Sequence, residues 1–203
     1  MRTGLHGRGI QQLLADYFDL NENYKDIRSR IDPGKDPFLW KAAEHEKGIR
    51  ILRQDPWEML ISFIISQRKN IPAIKSCVEK LCHKFGKEIS EGIYAFPKPE
   101  ELIKQGIDGL DGCSLGYRTE YIYLAAKAVY DGSVDLDSMR FLDDDTLLKE
   151  LMKIKGVGIK VANCISLFGY HRIKAFPVDV WIDRVQKQYY GGRFPVEKYP
   201  GYA

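Results

Sequence analysis

One stretch limits the folds open to this chain more than any other: Trp57-Glu58-Met59-Leu60-Ile61-Ser62-Phe63-Ile64-Ile65-Ser66, apolar on most sides and preceded by Asp55-Pro56. Asp is a favoured N-cap and Pro suits the first helical position, so the pair marks a helix start. A helix that is apolar nearly all round must be covered on several sides, and it is expected at the centre of the fold. Its polar exit, Gln67-Arg68-Lys69-Asn70, leads into Ile71-Pro72. A second run follows, with Ile74, Val78, Leu81 and Phe85 at three- and four-residue spacing and Gly86 as its stop. Further helices are expected near 98–106, 117–131, 143–154, 159–168 and 180–190. Alternating strand patterns bounded by turn residues are nearly absent, so the fold class is read as all-α.

The ends are less regular. Residues 1–40 read as a partly irregular segment, in which Arg8 to Phe18 allows a short helix and Asp32-Pro33-Gly34-Lys35-Asp36-Pro37 reads as a turn or loop; the helical core takes 41–203. Gly191-Gly192-Arg193-Phe194-Pro195 breaks the last helix, and Tyr199-Pro200-Gly201-Tyr202-Ala203 has no evident packing partner.

Composition narrows the partners only a little. The 31 Lys and Arg against 28 Asp and Glu leave a net charge of +3, so any basic surface must be local. No run reaches the roughly 18 apolar residues of a membrane-spanning helix, and Met1-Arg2-Thr3-Gly4 lacks the apolar stretch of a signal peptide. A soluble intracellular chain with no membrane partner is expected. Cys77, Cys82, Cys113 and Cys164 do not form paired C-x-x-C spacings, so reduced thiols are expected, with no metal site and no disulfide framework.

Chemistry concentrates between 143 and 168. One helix ends at Lys155, Gly156-Val157-Gly158 permits a tight turn, and a second helix begins almost at once with Val161, Ile165 and Phe168 on one face. This is a helix-hairpin-helix pattern. Without Cβ atoms, the turn would let a phosphate reach backbone N–H groups at the second helix's positive end, a grip indifferent to base sequence. On spacing alone, a glycine-rich link between two core helices fits equally well.

Gly156-Val157-Gly158-Ile159-Lys160-Val161-Ala162-Asn163-Cys164, followed by Phe176-Pro177-Val178-Asp179-Val180, closely resembles the helix-hairpin-helix base-excision DNA glycosylases, and more narrowly their 8-oxoguanine DNA glycosylase branch. Ser66-Gln67-Arg68-Lys69-Asn70-Ile71 and Gly116-Tyr117-Arg118 are similar to the same branch, so the resemblance spans about 15–203. It implies a glycosylase core of two helical subdomains that excises oxidised purine and cleaves abasic sites. Lys160 takes the position of the nucleophile, which attacks C1′ as a neutral amine and forms a Schiff base; a helix N-terminus and nearby cations favour that neutral form. Asp179 takes the acidic position that stabilises positive charge on the sugar, a role compatible with capping the helix from Val180.

An enzyme of this kind must flip its nucleotide out of the duplex and fill the gap. By resemblance Tyr117 wedges beside the orphaned cytosine, Arg118 and Arg68 donate to its edge, and Asn70, Gly156, Val157 and Gly158 contact the DNA. Cys164 lines the base pocket. Two positions depart from the family: Arg68 stands where many members have Asn, and Trp181 where many have His. The β domain and the C-terminal base-reading helix of full-length relatives are not recognised in this chain. Nor is the four-cysteine pattern of iron–sulfur relatives, so no cofactor is expected beyond a structural monovalent cation at the hairpin. The implied partner is duplex DNA carrying oxidised guanine or abasic sites, met by a monomer. A non-catalytic DNA-binding module and a helical protein-interaction domain remain alternatives.

Overall fold

The computed structural model describes residues 7–199, without the side chains of Gly7 and Arg8. The expectations for Met1 to Gly4 and for Pro200 to Ala203 lie outside these residues. In chain order the elements are α1 (Gly7–Tyr17), α2 (Tyr24–Ser29), α3 (Pro37–His45), α4 (Pro56–Ser66), α5 (Ile71–Phe85), β1 (Glu88–Ser90), β2 (Ile93–Tyr94), α6 (Pro99–Ile103), α7 (Arg118–Tyr130), α8 (Asp144–Lys153), α9 (Ile159–Phe168) and α10 (Val180–Tyr189). The fold is all-α apart from one small antiparallel hairpin, in which Glu88 lies opposite Tyr94.

Short acidic or amide side chains start most of these helices. Asp36 accepts from Leu39 N–H at 3.0 Å, Asp55 from Glu58 N–H at 3.0 Å, Asn70 from Ala73 N–H at 2.9 Å and Asp143 from Thr146 N–H at 2.9 Å. Each bond satisfies a donor that the helix itself leaves unpaired and stabilises it by about 1 kcal/mol. The Asp36 cap corrects the reading of 32–37 as a loop: the turn ends at Lys35, and Asp36-Pro37 opens α3 just as Asp55-Pro56 opens α4. The expected helix at 98–106 is also shorter. It stops at Ile103, and after Gly106 (φ 70°) the chain continues as the 3-10 turn Ile107–Leu110.

α4 is the central helix. Leu60, Ile61, Ile64 and Ile65 are fully buried in one core with Leu81 of α5, Ile122 and Ala126 of α7, Leu147 and Leu151 of α8, and Ile165 of α9. Burying each large aliphatic side chain is worth about 1.5–3 kcal/mol as an upper bound, so this helix anchors both arms of the hairpin that follows. A second group joins the two ends of the chain. Phe38 of α3 stacks on Tyr189 of α10 with centroids 3.8 Å apart, while Tyr190 and Tyr199 both donate to Asp36. Tyr199 also stacks on Phe194 at 5.4 Å, so this part of the C-terminal stretch does have a packing partner. A cavity of about 490 Å³ lies within the group, walled by Phe38, Phe176, Ile182, Val185, Tyr190 and Phe194.

The seam between the N-terminal segment and the core carries a buried carboxylate. Asp19 is 2% exposed and accepts from Arg53 Nε at 2.9 Å and Tyr24 Oη at 2.9 Å, with His171 Nε2 at 3.4 Å. Asp19 and His171 both have left-handed backbone, φ 51° and 53°. Such conformations are costly for residues with a Cβ and persist only where packing imposes them.

Candidate active site

The hairpin is built from α8, the five residues 154–158 and α9. Gly156 (φ 88°) is a position that only glycine fits, because a Cβ there would lie 2.5 Å from the Tyr121 ring. Gly158 is different: its φ is −90°, and a Cβ would meet nothing within 4 Å. Turn geometry therefore accounts for the first glycine and not the second, contrary to the joint role expected of them. What Gly158 contributes is an open approach to the start of α9, where it is the N-cap without a side chain to offer. The first N–H groups of α9 consequently have no side-chain cap, unlike those of α3, α4, α5, α8 and α10.

Val157 departs from the expected DNA contact. Its side chain is in the core and its N–H donates to Ile154 O at 3.0 Å, so the residue faces inward and holds the turn. Gln67 Nε2 donates to Gly156 O at 2.9 Å. Of the other turn carbonyls, Ile154 O accepts from Val157 N–H at 3.0 Å and Gly158 O from Ala162 N–H at 2.9 Å.

Lys160 lies in the first turn of α9, exposed, with no ion pair among the described residues. Its neighbour in sequence behaves otherwise, since Lys155 pairs with Glu120 at 2.8 Å, which raises the pKa of its ammonium. Asp179 is the N-cap of α10. Its Oδ1 accepts from the N–H groups of Trp181 (2.9 Å) and Ile182 (2.8 Å), which fixes the carboxylate while Oδ2 makes no hydrogen bond among the described residues. Cys164, one turn after Lys160 on α9, is buried and feels both charges. Burial pushes its thiol pKa up, the Lys160 charge pulls it down and the Asp179 charge pushes it up. Lys160 and Asp179 thus stand in the first turn of α9 and at the N-cap of α10, each at the positive end of its helix, one amine without an ion pair among the described residues and one oriented carboxylate.

The second expected cluster assembles across the turn. Arg68 is exposed with left-handed backbone, φ 51°, and Asn70 caps α5. Tyr117 is 52% exposed and meets Tyr121 edge-on at 5.8 Å. Arg118 differs from expectation, being only 5% exposed. Its guanidinium donates to Leu115 O and Gln67 O and lies 4.4 Å from the Tyr117 ring centroid. Its charge is thus spent on backbone carbonyls where two segments meet, and the guanidinium backs the Tyr117 ring. Nε of Arg118 is buried without a partner.

Gln67 and Tyr121 were not among the expected site residues, yet they join its parts. Gln67 touches the hairpin through its side chain and Arg118 through its carbonyl, and Tyr121 packs on both Gly156 and Tyr117. For Tyr121 a signal was present, one helical turn after Tyr117. For Gln67 the signal was a polar side chain at the very end of the central helix. Among the described residues, no group of three or more His, Cys, Asp or Glu is placed to hold a metal ion.

The family model described as 8-oxoguanine DNA glycosylase, N-terminal domain, matches residues 3–60, and that described as HhH-GPD superfamily base excision DNA repair protein matches residues 61–195. The N-glycosylase/DNA lyase of Saccharomyces cerevisiae is 33% identical over 195 residues, covering 87% of this chain and 50% of that protein. This chain thus spans about half the length of that relative. A solved structure of MBOgg1 in complex with a low-affinity DNA ligand has a TM-score of 0.88 at 39% identity, covering 98% of this chain and 72% of the other. The Clostridium acetobutylicum 8-oxoguanine glycosylase/lyase, solved with double-stranded DNA containing cytosine opposite 8-oxoguanine, gives 0.85 at 35% identity, covering 95% and 67%.

Proposed function

The chain belongs to the HhH-GPD superfamily of base-excision DNA repair proteins, in its 8-oxoguanine DNA glycosylase branch, and from that premise we propose that it is a DNA N-glycosylase with an associated abasic-site lyase step, acting on oxidised guanine in duplex DNA. The observation that carries the reading is an exposed Lys160 amine in the first turn of α9, without an ion pair among the described residues, together with an Asp179 carboxylate aimed by two backbone N–H groups at the start of α10.

In the proposed reaction the neutral Lys160 amine donates its electron pair to C1′ of the flipped nucleotide. The N-glycosidic bond breaks and the base leaves with its bonding electrons, to be protonated from solvent. Asp179, held by two backbone N–H groups, faces the positive charge that develops on the sugar. Opening of the sugar converts the amine adduct to a protonated Schiff base, from which loss of a C2′ proton expels the 3′ phosphate and cuts the strand. Tyr117, braced by Arg118, fills the space left in the duplex, and the uncapped start of α9 takes a strand phosphate. Nucleophile, charge stabiliser and wedge are all side chains of this chain, with duplex DNA as the partner.

The test is incubation with duplex containing 8-oxoguanine opposite cytosine, measuring free base and strand cleavage together. The expected result is release of 8-oxoguanine with a matching nick, and loss of both in K160Q. Salt-sensitive duplex binding with neither product in the wild-type chain would overturn the enzymatic reading in favour of a binding module.

A further inference from the structure

The reaction outlined above leaves one large side chain at the site without a task. Trp181 is 70% exposed in the first turn of α10, two residues after Asp179. Its own N–H donates to the Asp179 carboxylate, which ties the indole's backbone to the group that faces the sugar. The other tryptophans are better covered: Trp57 bonds Pro97 O through its indole nitrogen, and Trp40 is 39% exposed. An indole held open to water beside a reacting centre forfeits burial that a core position would provide.

The surroundings of Trp181 identify an occupant. The guanidinium carbon of Arg184 lies 5.0 Å from the ring centroid, one turn along α10, and covers one face of the indole. Arg184 is exposed and makes no ion pair among the described residues, whereas nearby Lys187 is bound to Asp183 at 2.7 Å. The side chains therefore offer one free aromatic face and one unspent positive charge. A ligand that answers both carries a flat π-surface and an anion a few ångströms apart, which is the chemistry of a nucleotide within a strand.

Resting on the glycosylase reading, we propose that Trp181 and Arg184 form a nucleotide ledge beside the reacting pair. Trp181 stacks on a base of the strand that carries the reacting nucleotide, and Arg184 neutralises a phosphate of that strand. The ledge holds the strand in register after the target base has left its stack, so it is a positioning device and takes no part in bond breaking.

The probe is a fluorescent duplex with a tetrahydrofuran abasic analogue, which cannot react. W181L should weaken binding roughly five- to hundredfold, the range expected for loss of one base–aromatic stack, while W181F keeps most of the affinity. Wild-type tryptophan emission should be quenched on binding, and the quench should disappear in W181F. R184Q should flatten the log-affinity against log-salt slope by about 0.9, the loss of one phosphate contact. Wild-type affinity in W181L, or an undiminished quench in W181F, overturns the ledge. Concentration-dependent self-association that W181L abolishes would instead assign the indole to a second copy, and also overturns it. If the wild-type chain nicks 8-oxoguanine duplex while W181L binds normally, the ledge alone fails; if the wild-type chain neither binds nor nicks, the glycosylase reading has failed with it.

Discussion

Asp19 and Asp179 are two aspartates fixed by hydrogen bonds, and they are fixed to opposite ends. At the seam between α1 and the core, Asp19 is enclosed, and both of its oxygens are engaged by the side chains of Arg53, Tyr24 and His171. At the mouth of the site, Asp179 is exposed and held through Oδ1 alone, by two backbone N–H groups. A carboxylate whose lone pairs are all answered by protein can only hold structure together. One that is aimed by the backbone and left with an open oxygen can still meet a substrate. The difference separates the two roles within a single residue type, and it assigns stability to the first and rate to the second.

The largest expected effect falls on the second. D179N keeps a competent cap, since Asn and Asp cap helices about equally well, but removes the charge facing the sugar. The excision rate should fall by about 10²- to 10³-fold with melting temperature almost unchanged. Single-turnover kinetics and a thermal melt check this together, and a large loss of stability without loss of rate would reverse the assignment. D19A should do the opposite. It leaves Tyr24, Arg53 and His171 without their common acceptor at a buried site, at a cost of about 2–3 kcal/mol by denaturant titration, with the excision rate per folded molecule preserved.

The smallest effect is on pH dependence. Burial, then the Arg53 charge, holds His171 below its ordinary pKa against the pull of Asp19 and Glu22. A histidine kept neutral by the fold contributes fully above its unfolded value of about 6.5, and that contribution is lost as pH falls through the lower folded value. Burial works to raise the pKa of Asp19, but the bonds from Arg53 and Tyr24 and the charges of His171 and Arg53 outweigh it and hold it low. Its contribution is present above about pH 4 and lost below, as pH falls through the folded value. The melting temperature should therefore drop on acidification from pH 7 to pH 5. H171Q should flatten that part of the curve. A wild-type melting temperature that rises over the same interval would contradict the seam's electrostatics.

What could be read in advance was local. Asp55-Pro56, the 159–168 helix, the Gly156 turn and the Asp179 cap each depend on bonds spanning a few residues, and each leaves its mark in neighbouring letters. Asp36-Pro37 carried the same mark as Asp55-Pro56, and the surrounding Pro and Gly obscured it. Other features depend on partners far away in sequence. Arg118 turns inward because Gln67 O, 51 residues earlier, needs a donor, and the Asp36 bond to Tyr199 spans 163 residues. No pattern near Arg118 distinguishes a guanidinium that meets DNA from one that meets backbone carbonyls. Val157 lies between these cases: the turn around it is local, while the inward face of its N–H follows from how α8 ends.

The central claim, that the Lys160 amine bonds to the sugar, is tested most directly by borohydride reduction during incubation with abasic duplex, followed by peptide mapping of the trapped complex. Reduction makes a Schiff base permanent, and the account predicts one DNA-bearing peptide, modified at Lys160 and missing in K160Q. A trapped complex that survives in K160Q, or that maps to Lys155 or any other amine, would contradict it.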